Sequence, residues 1–241
     1  MSKMTRRTYL IPPPSAVAGI FGAILGIERK KLFDVSKEVM AGAELQSIGG
    51  RIVTLARVFK IDRTPSQLLN LLKSYYRGDR SKTKEIQELL PIKESEELYM
   101  PEYKFAIAST NESLIDEGMR RLKELDIKYE LFGGNDYHFI ESIGDPKLAE
   151  IEEGREGYGY CPREDYERVE TESFNIAFNA SVIESIKFPI IMPVTFLANV
   201  NKEFVQVYGA RIVAKRELSI VNDGESKIFV YEVNPFLAMR I

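Results

Sequence analysis

Thr8–Ile27, TYLIPPPSAVAGIFGAILGI, passes from an extended apolar segment through three prolines into a run of small residues. The Pro12-Pro13-Pro14 run is rigid and cannot join a sheet ladder. Ser15 reads as the N-cap of a helix beginning at Ala16. That helix carries Ala16, Ala18, Gly19, Gly22, Ala23 and Gly26. Each helical glycine costs about 1 kcal/mol against alanine. Something must therefore pack very close: another helix, a sheet or a nucleic-acid backbone. The apolar run Ala16–Ile27 is shorter than the roughly 20 residues needed to span a bilayer. The basic lead MSKMTRR resembles a signal peptide's start, but the prolines intervene and no small-residue cleavage site follows closely. These features predict a cytoplasmic chain with no membrane partner. One cysteine, Cys161, excludes an internal disulfide, and with a single histidine, His138, no zinc site is expected.

Downstream, Gly49-Gly50 marks a turn. Residues 51–61 alternate as a strand with Val53 and Leu55 inward, and Phe59 if the alternation holds. Thr64-Pro65 opens a helix with Leu68, Leu69, Leu71 and Leu72 on its apolar side. Residues 76–97 are polar and poorly patterned, which predicts a mobile insertion with a short helix at 84–90. Tyr103–Ala108 reads as a strand. Asn111 then caps a helix over Glu112–Leu125, with Leu114, Ile115, Met119, Leu122 and Leu125 at helical spacing. Residues 137–143 predict another strand. Strand, helix, strand is half of a ferredoxin-like unit, and the helix at 16–27 with the strand at 51–61 would supply most of the other half. Residues 144–175 read as an acidic loop containing GREGYGYCPR, a glycine-aromatic cluster. Residues 182–241 read as a strand meander, with a hairpin turn at Asn222-Asp223-Gly224.

The net charge of −3 is unevenly spread. Residues 1–90 hold 16 Lys and Arg against 8 Asp and Glu, whereas residues 91–241 hold 17 against 28. A basic front half suits phosphate, and an acidic remainder limits nonspecific binding; solvated helix faces would produce the same asymmetry. Arg6, Arg7 and Tyr9 place two guanidinium groups and a stacking ring beside a rigid turn. Gly19 admits a backbone, and the helix start at residues 15–17 offers N–H groups to a phosphate. Arg57, Lys60 and Arg63 either track a phosphate backbone or form a solvated strand edge. Lys82 and Lys84, with Tyr75, Tyr76 and Arg77, either touch nucleic acid or are loop charges. Arg29-Lys30-Lys31 suit the dipole at the helix C-terminus.

Tyr9–Ile27 resembles the fifth family of CRISPR-associated proteins, RAMP-superfamily subunits of the type I Cascade complex. The matching positions are Pro12, Pro13, Pro14, Ser15, Gly19, Gly22, Ala23, Leu25, Gly26 and Ile27, in the family form GxxGAxLGI. The resemblance implies an α+β chain. It would have a ferredoxin-like (RRM-like) palm over residues 1–143, with a thumb-like insertion at about 61–100, and a β-rich C-terminal region over 144–241. It implies a noncatalytic role in antiviral defence: gripping the 5′ handle of the CRISPR RNA and contacting the Cascade backbone subunit and large subunit, without cofactor. The family opens with a strand that is short here. KIFVYEVNPFLAMRI at the C-terminus (227–241) either stands in for it or is an ordinary last strand. One subtype of the family cuts repeat RNA without metal, using Tyr, Lys and His. His138 alone does not reproduce that set, which leaves endoribonuclease activity as an alternative reading. A ferredoxin-like protein-interaction module without RNA is another.

Overall fold

Proline sets where the first long helix begins. Pro13 sits at φ −66°, ψ 160°, and Pro14 takes the first helical position, so α1 spans Pro14–Leu25. The N-cap expected at Ser15 is corrected: Pro13 holds that position, and Pro14 suits the first helical position because its fixed φ is already helical and its missing N–H has no intrahelical partner. The computed structural model describes residues 4–6, 8–28, 30–57, 65–83, 92–133, 138–170, 190–195 and 203–233. They form a mixed α+β fold of two compact units.

The larger unit comprises Tyr9–Ile48 and Pro101–Ile241. Its elements, after α1, are α2 (Leu32–Ser36), β2 (Val39–Ser47), β5 (Glu102–Ser109), α4 (Glu112–Glu124), β6 (Glu150–Pro162), β7 (Tyr166–Glu170), β8 (Ile190–Thr195), β9 (Glu203–Asn222), β10 (Lys227–Phe229) and β11 (Tyr231–Glu232). One sheet has the order β11-β2-β5, antiparallel throughout. Val39, Ala41, Ala43 and Leu45 all point from β2 into one core with Leu10, Ile11, Val17, Ala18 and Val233. The strand paired with β5 is thus β2, not the expected 51–61. Helix α4 packs on α1 through Gly118, where a Cβ would lie 2.5 Å from the Phe21 ring. Leu125 is not inward as its spacing predicted. It ends α4 in the left-handed region, φ 54°, and is exposed.

The second sheet has the order β10-β6-β9-β7, with β8 also on β9. Residues 150–170, expected to be loop, instead form β6 and β7. Glycine hides the strand pattern because other groups occupy the space its side chains would need. A Cβ on Gly157 would meet the Phe229 ring at 3.0 Å, and one on Gly159 (φ 104°) the Ala43 carbonyl oxygen at 2.3 Å. Gly42 on β2 similarly admits the Phe229 carbonyl. The predicted hairpin forms: β9 and β10 pair antiparallel, and Gly224 has φ 83°. The strand expected at 137–143 is only a single bridge, Phe132 to Phe139, followed by irregular chain.

The smaller unit comprises Met1–Thr8 and Gly49–Met100. It contains β1 (Met4–Arg6), β3 (Gly50–Arg57), α3 (Pro65–Tyr76), a 3-10 turn (Arg80–Lys82) and β4 (Ile92–Tyr99). β4 is central, parallel to β1 and antiparallel to β3. The stretch 92–97, expected to be unpatterned, is therefore strand. Two of its carboxylates are bound across the ladder: Glu96 pairs with Arg51 at 3.3 Å, and Glu97 accepts from Thr54. Ile52 and Val53 are both exposed, so both faces of the hairpin are open there. Val53 is not inward as predicted, and on α3 Leu71 is buried while Leu69 is exposed. Among the described residues no helix is long and apolar enough to cross a membrane.

Candidate nucleic-acid interface

The segment before the prolines is held from far along the chain. Gln206 is fully buried on β9; its Oε1 accepts the Leu10 N–H (3.1 Å) and its Nε2 donates to the Ile11 carbonyl (2.6 Å). The Tyr103 hydroxyl donates to the Leu10 carbonyl (3.2 Å), and burial pushes that phenol well above its usual range, so it stays a donor. Leu10 and Ile11 are thereby locked into the core, while Tyr9 emerges 40% exposed. At the helix start, the N–H groups of Ala16 and Val17 both donate to the Pro13 carbonyl, at 2.9 and 3.2 Å. The expected phosphate cradle at residues 15–17 is corrected accordingly: two of its three donors are already used, and Ser15 lies at the second helical position.

Helix α1 has two unlike faces. Val17, Ala18, Phe21, Gly22 and Ile24 are buried. Ser15, Ala16, Gly19 and Ala23 retain exposure. A Cβ built on Gly19 meets nothing within 4 Å. An open groove runs from there, lined by Gly19, Ala23, Ile27, Glu28, Leu32 and Tyr129. Tyr129 is 49% exposed and its N–H donates to the Ala23 carbonyl (3.3 Å), which fixes the backbone of an aromatic residue at the groove wall. Sequence reasoning missed Tyr129 because nothing local marks it.

The remaining candidates belong to the smaller unit. The backbone of Arg6 pairs with Ser95 and that of Arg57 with Ile92. Those two partners lie three residues apart along β4, about 10 Å at strand rise. Lys82 lies in the 3-10 turn. Arg7, Lys60, Arg63 and Lys84 lie outside the described residues, as does the expected helix at 84–90.

A family model described as CRISPR-associated protein (Cas_Cas5) matches residues 1–212. The chain belongs to the Cas5 family. No curated protein and no solved structure matches it. In this Cas5-family chain the GREGYGYCPR cluster runs along β6 and turns one of its rings inward. Tyr160 is fully buried, stacked on Tyr231 (5.6 Å) and edge-on to Phe204 (6.1 Å). Cys161 beside it is also buried, which pushes its thiol up to about 12 and keeps it protonated. His138 is part-buried, and its carbonyl accepts the Gly133 N–H (2.6 Å) next to the Phe132–Phe139 bridge. Among the described residues no group of three His, Cys, Asp or Glu side chains is placed to hold a metal ion.

Proposed function

We propose that this Cas5-family chain is a noncatalytic subunit of a type I CRISPR Cascade complex that holds the 5′ handle of the CRISPR RNA. The observation that carries the reading is Gly19: a glycine inside a helix, facing outward, with open space where its side chain would be. Its cost of about 1 kcal/mol has no compensation among the described neighbours. A polynucleotide backbone lying against α1 supplies one. Tyr9, Tyr129 and Ser15 then offer stacking and hydrogen bonding beside it, as unpaired RNA requires. Separately, the smaller unit, read as the thumb, carries Arg6, Arg7, Arg57, Lys60, Arg63, Lys82 and Lys84 as its own contacts to RNA phosphate. The run α1–β2–β5–α4 supports a ferredoxin-like palm, with β11 added at the β2 edge. The backbone and large subunits of Cascade are the protein partners.

The test is handle-RNA binding by the purified chain, alone and with Cascade partners, against a scrambled RNA. Arg6→Glu with Arg7→Glu weakens handle binding at least about tenfold, about 1.4 kcal/mol, with unchanged melting temperature. Equal affinity for handle and scramble removes the reading. So does metal-independent cutting of repeat RNA that disappears in His138→Ala, which would make the chain an endoribonuclease.

A further inference from the structure

Val39, Ala41, Ala43 and Leu45 turn one face of β2 to the α1 core, so Glu44 points to the opposite face of the sheet. The β9–β10 hairpin covers that face, where Ile228 and Val230 pack with Ala106, Met40 and Val221. Glu44 Oε2 is buried there without a hydrogen-bond partner, and the Ser226 hydroxyl stands near it without completing a hydrogen bond. Lys104 lies directly opposite Glu44 across the β2–β5 ladder. Its ammonium reaches Asp223 Oδ2 at 2.6 Å and Glu225 Oε2 at 3.6 Å, both in the hairpin turn. The turn is built on Asp223, whose Oδ1 accepts the N–H groups of Glu225 (3.0 Å) and Ser226 (2.8 Å). Lys147 holds the other Glu225 oxygen at 2.7 Å.

Charge counting gives this cluster two states. With Glu44 protonated, the carboxylates of Asp223 and Glu225 meet the ammoniums of Lys104 and Lys147, and the turn is clamped to β5. Ionised Glu44 adds a third carboxylate beneath the hairpin, competing for the same lysine and repelled by Asp223. Gln46 on β2 adds only a weak polar contact; with Lys104 from β5 and Asp223 and Ser226 from the turn, it completes the groups acting on Glu44. Burial outweighs the pull of Ser226 and Lys104 and raises the carboxyl from 4.5 to about 7. The clamp is therefore complete below that value and weakens as pH rises through it. We propose that Glu44, Lys104 and the Asp223–Ser226 turn form a proton-operated latch: the turn is held to the β11-β2-β5 sheet while Glu44 is protonated and loosens when the proton leaves. The latch shares no residue with the Tyr9–Gly19 surface and does not rest on the handle reading.

Hydrogen exchange of the full chain, read by mass spectrometry at about pH 6 and about pH 8 and corrected for intrinsic rates, tests the latch. Between the two, protection of the peptide over residues 222–227 falls at least about fivefold further than that of β9 residues 203–208, because the turn opens locally. Glu44→Gln removes this excess fall and keeps the turn protected at both values. Lys104→Met lowers turn protection at both. A parent turn that loses no more protection than β9, an excess fall that persists in Glu44→Gln, or unchanged protection in Lys104→Met overturns the latch. Carboxyl carbon-13 NMR of the parent supplies a check that needs no variant. One carboxyl resonance titrates between about pH 6 and 8 if the latch exists, and ionisation of every carboxyl below about pH 6 overturns it.

Discussion

Gly19→Ala tests stability and binding with one methyl group. Gly19 lies inside α1, and a Cβ there meets no atom within 4 Å. Packing is therefore unchanged, and only helix propensity enters, worth about 0.8–1.0 kcal/mol in favour of alanine. For a chain of this size that raises the melting temperature by about 2–4 °C. A phosphodiester or ribose resting on the helix backbone has no room for the methyl, so handle-RNA affinity falls at least about tenfold, roughly 1.4 kcal/mol. Circular-dichroism melting and filter binding on the same preparation read both effects. The opposite signs matter, because an unfolding variant would lose both. A lower melting temperature would mean that this face of α1 is covered within the folded chain. A raised melting temperature with unchanged RNA affinity would place the RNA elsewhere.

Three further substitutions address the supports of that surface. Gln206→Leu leaves the Leu10 N–H and the Ile11 carbonyl buried and unbonded; chemical denaturation should show a loss of about 2–4 kcal/mol, and handle affinity should fall with it as Tyr9 loses its anchor. Gly159→Ala places a Cβ 2.3 Å from the Ala43 carbonyl oxygen at φ 104°; both contacting groups are backbone, so the loss should reach about 3 kcal/mol, and a normal melting curve would contradict the close approach of β6 to β2. Burial pushes Glu44 up to about 7 from 4.5, against weaker opposing effects of Ser226 and Lys104. The folded chain thus holds a proton between those values that the unfolded chain has released, so stability falls as pH rises through that window. Glu44→Gln should remove the fall and be more stable than the parent at pH 8 by about 1–3 kcal/mol; a parent curve rising from pH 5 to 7 would refute the sign. Asp223, lowered to about 2 by Lys104 and its turn N–H groups despite burial, adds stability that is lost only below about pH 4, outside that window.

The elements legible in the sequence are those specified within a few residues. Proline before α1, Asn111 before α4, the β-branched and aromatic content of β5, and the Asn222-Asp223-Gly224 turn all act locally. β2 and β6 were not legible for the opposite reason. VMAGAELQS is rich in small residues because Gly42 admits the Phe229 carbonyl and Ala43 lies under Gly159. GREGYGYCP has the composition of a loop because its glycines are where Ile220, Phe229 and β2 press on the strand. Neither reason is visible without the partners, which lie more than 100 residues away for both Gly42 and Gly159. Val53 on β3 departs from its expected place for a simpler cause: alternation gives the faces of a strand but not which face, if either, is covered.

The same distinction runs through the candidate site. Gln206 stands at a buried position in the apolar alternation FVQVYG, and a buried amide must find partners; that was the available signal, but its partners Leu10 and Ile11 lie 196 and 195 residues away. Glycines of one motif carry different information once the structure fills in their surroundings. Gly22 faces Leu32 and Gly26 faces Lys128 at a positive φ, so packing and the helix end account for them. Gly19 has neither reason. On the proposed reading, a helix that accepts an uncompensated glycine at an open position accommodates an occupant that arrives from outside the chain. That inference would fail if alanine at position 19 left every binding property intact.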